Sequence, residues 1–158
     1  MKAKIARYVS FFIAAMMVSL VANAQQRASA DEAVAFVKKA VTYLKKHGKE
    51  KAYADFADLH NKQFHDRDLY IFVYDLKGIC VAHGNNPKMV GKDLSQMKDA
   101  NGKTIIQDFI ELVNTKGSGW VEYSWPNPVT KNVEAKSSYI VKVDDILLGA
   151  GIYKASSK

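Results

Sequence analysis

Apolar positions along this chain recur with two different periods. Val34, Phe36, Val37, Ala40, Val41 and Leu44 fall on one face of a helix. Ser29 with Glu32 three residues later is the capping-box pattern that opens such a helix. Lys45-Lys46-His47 followed by Gly48 places cations and then a glycine where a helix C-terminus favours them. A second helical stretch offers Ala52, Tyr53, Phe56, Leu59 and Phe64 for burial. Gly48 either separates two helices or kinks one long helix, giving a helical part over 29–65.

From Asp68 the period shortens. Leu69 to Asp75 reads as a strand with Tyr70, Phe72 and Tyr74 on one face. Leu76-Lys77-Gly78 turns into a strand through Ile79, Cys80, Val81, Ala82 and His83, which Gly84-Asn85-Asn86-Pro87 ends with turn chemistry. A polar, irregular stretch covers 88–102. Thr104 with Gln107 suggests another capping box, ahead of a helix through Ile105, Ile106, Phe109, Ile110, Leu112 and Val113 that Gly117 and Gly119 close. Trp120 to Trp125 alternates, with Tyr123 and Trp125 on one face. Pro126-Asn127-Pro128 interrupts the ladder. Val133 to Val143 returns with Lys136 and Ser138 on one face and Tyr139 and Val141 on the other, and Asp144-Asp145 turns it into a last strand, Leu147 to Lys154. Helices, a strand pair, a helix and three further strands make an α+β domain on one central five-stranded antiparallel sheet. The N-terminal helix or helix pair is expected to cover one sheet face, and the middle helix with the irregular stretch the other.

The first residues stand outside that pattern. Lys2, Lys4 and Arg7 precede an apolar run from Tyr8 to Val21, and Ala22-Asn23-Ala24 offers a small-residue cleavage site. The run is shorter than the roughly 20 residues a membrane helix needs. This reads as a signal peptide over 1–24, cut near Ala24, with an uncleaved anchor as the alternative. It leaves one domain over 25–158 in a periplasmic or secreted setting. Loss of three cations lowers the formal net charge from +7 to +4. The remaining lysines are scattered, which gives no footprint for nucleic acid. Cys80 is the only cysteine, so no internal disulfide is available. Its apolar flanks suit a buried, inert thiol better than a reactive one.

Catalytic patterns are missing from the sequence. His60 and His65 do not share the spacing that puts two imidazoles on one helical turn, and there is no HExxH, CxxCH, GxSxG or P-loop. No cofactor and no metal is expected, and no enzyme. A binding pocket is better supported. Strict alternation gathers Tyr70, Phe72, Tyr74, His83, Tyr123, Trp125, Lys136 and Ser138 on one sheet face, an aromatic wall with a cation and hydrogen-bonding groups. Gly149 and Gly151 leave gaps in that wall for a ligand or helix to approach. Each residue has a plainer reading. The aromatics serve equally as core, Trp125 as a surface ring, His83 as a turn cap, and Lys136 as a chain snorkelling to solvent.

The ordered phrases His83-Gly84-Asn85-Asn86-Pro87, Val90-Gly91-Lys92-Asp93-Leu94, Asp99-Ala100-Asn101-Gly102-Lys103, Gly119-Trp120-Val121-Glu122-Tyr123-Ser124-Trp125-Pro126-Asn127-Pro128 and Lys136-Ser137-Ser138-Tyr139 resemble a single Cache domain of type 2, a PAS-like extracytoplasmic sensor. The resemblance implies a pocket for a short organic acid of the acetate, propionate, lactate or pyruvate class. Lys136, Tyr123 and Tyr139 would then hold the carboxylate. Tyr139 lies opposite Lys136 by alternation, so either a bulge re-aims it or it is a packing residue. The resemblance also implies signalling and chemotaxis. Tyr153 is followed only by Lys154 to Lys158, which suits a stand-alone domain acting with a membrane chemoreceptor or histidine kinase. An apolar stripe on the N-terminal helix would serve a homodimer. The competing expectation is a structural or protein-interaction domain whose pocket is filled by side chains.

Overall fold

The computed structural model describes residues 27–154, so the leader reading and its cleavage at Ala24 lie outside the described residues. Helix α1 spans Ala30–His47 and α2 spans Lys49–Ala57. The Ser29 capping box forms in full: the Ser29 hydroxyl accepts from the Glu32 amide, and the Glu32 carboxylate accepts from the Ser29 amide. The chain breaks at Gly48, whose φ of 82° lies in the left-handed region that favours glycine. There are thus two helices, not one, and the helical part ends at Ala57 rather than at 65. Beyond it, Asp58 Oδ1 accepts from the His60 amide and Asn61 Oδ1 from the Gln63 amide, local turns that compete with a continuing helix. Leu59 is consequently exposed, while Phe64 is buried.

A small hairpin pairs β1 (His65–Asp66) with β2 (Leu69–Tyr70). Arg67 adopts φ 54° at its tip, and its guanidinium donates to Asp66, to Glu32 Oε1 at 2.6 Å and to the Arg27 carbonyl at 3.2 Å. The main sheet contains β3 (Phe72–Asp75), β4 (Cys80–His83), β5 (Ser118–Pro126), β6 (Val133–Val143) and β7 (Ile146–Tyr153). Its order is β4-β3-β7-β6-β5, and every pairing is antiparallel. Helix α3 (Ile105–Lys116) follows the irregular stretch. Thr104 makes no side-chain cap there, so the second capping box does not form.

Alternation along the strands divides the core in two. Ile71, Val73, Ala82, Leu148 and Ala150 face α1 and α2, where they meet Ala33, Val37, Ala40 and Phe56. Tyr70, Phe72, Tyr74, Cys80, Val121, Tyr123, Ile140 and Leu147 face the other way, against Met89, Ile105, Ile106, Phe109 and Val113. Burial of both layers supplies the main stabilising term. Cys80 is fully buried, and desolvation pushes its thiol up to about 12, consistent with an inert packing residue.

Candidate functional site

The second layer is not fully packed. A gap of about 10 Å³, room for about one water molecule, remains between Tyr70, Phe72, Tyr74, His83, Tyr123 and Trp125 on the sheet side and Met97, Ile105, Ile106 and Phe109 on the helix side. The six sheet residues are all ones the sequence pattern assembled. Their rings interlock: Phe72 stacks on Phe109 at 5.6 Å, Phe109 meets Tyr123 edge-on at 5.4 Å, and Tyr123 meets Trp125 at 6.0 Å. His83 reaches this face through a register shift in the β3–β4 pairing. It lies opposite Phe72 while Cys80 lies opposite Tyr74, with Val81 as the extra residue.

Lys136 on β6 lies beside Tyr123 and Tyr153 and bonds the gap-lining Tyr70, without itself lining the gap. Its side chain does not snorkel. The residue is 1% exposed, and Nζ sits 4.0 Å from the Tyr70 ring centroid, 4.8 Å from that of Tyr153 and 5.8 Å from that of Phe72. Such faces attract a cation, more strongly in a dry site. Nζ donates to the Tyr70 hydroxyl at 2.8 Å. Tyr70 in turn lies 3.3 Å from the Tyr153 hydroxyl, which donates to the Pro126 carbonyl at 2.8 Å. Proton placement follows: with Tyr153 donating to Pro126, Tyr70 accepts from Lys136 and donates to Tyr153. Desolvation holds the Lys136 amine well below its ordinary pKa, partly opposed by the charge of Asp68. Among the described residues no carboxylate pairs with Lys136.

Ser138 contributes a second polar point, 2.9 Å from the Tyr123 hydroxyl. His83 Nδ1 accepts from the Asn86 amide at 3.0 Å and the Asn85 amide at 3.3 Å, so the proton of the neutral ring resides on Nε2. Burial, reinforced by Lys136, depresses His83 to about 3. The turn-cap reading of His83 therefore describes one nitrogen and leaves the other as a donor.

Tyr139 does not join this group. It lies on the opposite sheet face, half-buried against the helix-side layer and 5.5 Å from the Trp120 ring. β6 pairs without a bulge on either side of it, so nothing re-aims the side chain. The two glycines also differ from expectation. A Cβ on Gly149 would sit 2.6 Å from Phe72 Cζ, and one on Gly151 would sit 2.8 Å from Lys136 Cε and collide with the Ser138 hydroxyl. Side chains and backbone of neighbouring strands occupy that space.

Several residues of the site escaped the sequence reading. Ile105, Ile106 and Phe109 were legible as an apolar helix face, but not as the wall of a pocket. Met97 lay in a stretch without periodicity. Tyr153 ends the last strand on the Gly149 and Gly151 face, and that parity was the available signal.

A family model described as single Cache domain 2 matches residues 13–155. Among curated proteins, the methyl-accepting chemotaxis protein McpP of Pseudomonas putida is 33% identical over 91 residues, 56% of this chain and 17% of that protein. The sensor histidine kinase MctS of Rhizobium johnstonii is 29% identical over 89 residues, 55% of this chain and 19% of that protein. The chain therefore spans under 20% of the length of either relative. Among solved structures, a Cache chemosensory domain described for carboxylic acid recognition superposes with a TM-score of 0.67 at 25% identity, covering 79% of this chain and 92% of that one. A methyl-accepting chemotaxis protein from Vibrio parahaemolyticus gives 0.68 at 26% identity, covering 85% and 92%.

Proposed function

Because the chain belongs to the single Cache domain 2 family of extracytoplasmic ligand-binding signalling modules, we propose that its pocket captures a short organic monocarboxylate, with Lys136 as the anchor of the carboxylate. The observation that carries this reading is a wholly buried amine with no carboxylate partner among the described residues, held among aromatic faces. Burying an ammonium without a counter-charge is costly, and an arriving carboxylate supplies that charge where low polarity strengthens the pair. Tyr70 and Tyr123 offer hydroxyls, Ser138 another, and His83 its Nε2–H. Phe72, Tyr74, Trp125 and Phe109 enclose the alkyl part. This apolar wall disfavours a second carboxylate, which would be buried unpaired.

A gap the size of one water does not admit even a two-carbon acid. Capture therefore requires the wall of α3 and Met97 to draw back, since the facing wall is hydrogen-bonded sheet. The relatives that carry this domain as part of a chemoreceptor and of a sensor kinase support a membrane signalling partner for this one. The Tyr139 side chain plays no part in capture, because it packs on the far face.

A thermal-shift panel of short monocarboxylates, dicarboxylates and amino acids tests the reading. A ligand at one hundred times its dissociation constant stabilises by about 2.7 kcal/mol. Short monocarboxylates are expected to raise the melting temperature and dicarboxylates to leave it unchanged. Lys136→Ala is expected to abolish the shift while the domain still folds. A flat panel at millimolar ligand would favour the protein-interaction alternative.

A further inference from the structure

Asp68 is a second buried ionisable group beside this site. It occupies the tip of the β1–β2 hairpin, where the left-handed Arg67 turns the chain. Asp68 is 1% exposed; its Oδ1 accepts from the Ala28 amide at 2.9 Å. Its Oδ2, among the described residues, has no hydrogen-bond partner. A buried oxygen left in that condition is costly. Asp68 and Lys136 each feel the other's charge, yet they make no ion pair. The two groups therefore compensate one another only through space.

We propose that capture of an organic acid by this pocket is proton-linked, and that Asp68 is the group that takes up the proton. The inference rests on the carboxylate reading of the pocket. An acid anion that pairs with Lys136 neutralises the cation that partly offset Asp68. Asp68 is then a buried carboxylate with an unpartnered oxygen and no compensating charge. Protonation at Oδ2 removes the charge, while Oδ1 keeps the Ala28 bond. One anion and one proton enter together; the only bond formed is the O–H at Oδ2, with the proton taken from solvent. Desolvation already raises the Asp68 carboxyl above its ordinary value, so the group starts part of the way there.

Lys136, whose amine pKa is lowered by burial, is the one neighbour that competes for the proton, and Asp68→Asn separates the two. The remaining charged and titratable neighbours do not compete. Arg27, ahead of α1, and Glu134, on β6, pair with each other at 2.8 Å. His83 on β4 stays neutral until about pH 3, and burial lowers His65 on β1 as well. The phenols of Tyr70 on β2, Tyr123 on β5 and Tyr153 on β7 are all pushed upward by burial. Proton uptake makes affinity fall as pH rises, by about tenfold per pH unit for one full proton. The window runs between the Asp68 pKa of the empty site and its higher value in the occupied one.

Calorimetric titration with propionate, in two buffers of different ionisation enthalpy and across pH 6 to 9, tests this. The expected result is a buffer-dependent heat equivalent to proton uptake and a dissociation constant that rises with pH. Asp68→Asn, which keeps an oxygen for Ala28, is expected to bind with no proton uptake and a flat pH profile. Binding without uptake in the unsubstituted protein overturns the proton linkage alone. Uptake that persists in Asp68→Asn overturns the role of Asp68. If no acid binds at all, the carboxylate reading and this inference fall together. The carboxyl-carbon NMR signal of Asp68 in the unsubstituted protein provides the same reading without a substitution. It is expected to move to the protonated position when propionate is added at pH 7, and an unmoved, ionised signal overturns the proposal.

Discussion

Lys136 places a strongly hydrated type of group where water is excluded, and its neighbours are aromatic rings and one phenol hydroxyl. An unpaired buried charge destabilises a fold, and replacing it by an apolar chain of similar volume is often neutral or stabilising. Lys136→Met is therefore expected to raise stability by about 1 kcal/mol at pH 7 while removing acid affinity, measured by denaturant unfolding and calorimetry on the same sample. A variant that loses both folding and binding would make Lys136 structural. His83 predicts an acid transition. Its folded pKa of about 3 lies below the ordinary 6.5, so the folded state resists protonation. Its contribution is complete above pH 6.5 and is lost as pH falls toward 3, with a slope of up to about 1.4 kcal/mol per pH unit. Thermal melts from pH 7 to 4 are expected to show that decline, and His83→Gln to reduce its steepness. An unchanged slope in the variant would assign the transition elsewhere.

Strand parity decides which side chains can meet. Gly149 and Gly151 keep the β7 backbone bare beneath Phe72, Lys136 and Ser138. Gly151→Ala is expected to cost about 1–3 kcal/mol by overpacking, read from denaturant midpoints. Ser29→Ala, which removes the hydroxyl that caps α1, is expected to cost about 1 kcal/mol. The alternation of β3 and β5 was legible in the sequence because Tyr, Phe and Trp alternate with other residues there. It placed Phe72, Tyr74, Tyr123 and Trp125 on one face, with Lys136 of β6 beside them. Three features were not legible in this way. Thr104 and Gln107 had the spacing of a cap but no cap bond forms. The extra residue at Val81 has no sequence mark. Asp68 drew no reading of its own, because its burial goes with a contact to the Ala28 amide 40 positions away.

Across the whole molecule, the entry to α1 and the exit from β7 are joined. Arg27 donates to Glu134 Oε2 at 2.8 Å and to the Tyr153 carbonyl at 3.2 Å, spanning 107 and 126 positions of sequence. Glu134 also accepts from Asn127 and Thr130, which holds the acceptor in place. Arg27→Ala is expected to lower stability by about 1–2 kcal/mol, reduced from a fully buried pair by the partial exposure of Arg27. Two-layer packing around one sheet was readable from the change of period alone. The meeting of Arg27, ahead of α1, with the end of β7 was not, since it depends on long-range contacts without local pattern. The proposed recognition turns on the negative charge of the carboxylate. Calorimetric titration with propionate and with propionamide, nearly the same shape without the charge, tests it most directly. Saturable binding of propionate is expected, and none of propionamide at equal concentration. Equal binding of the two, or binding of the amide alone, would contradict it.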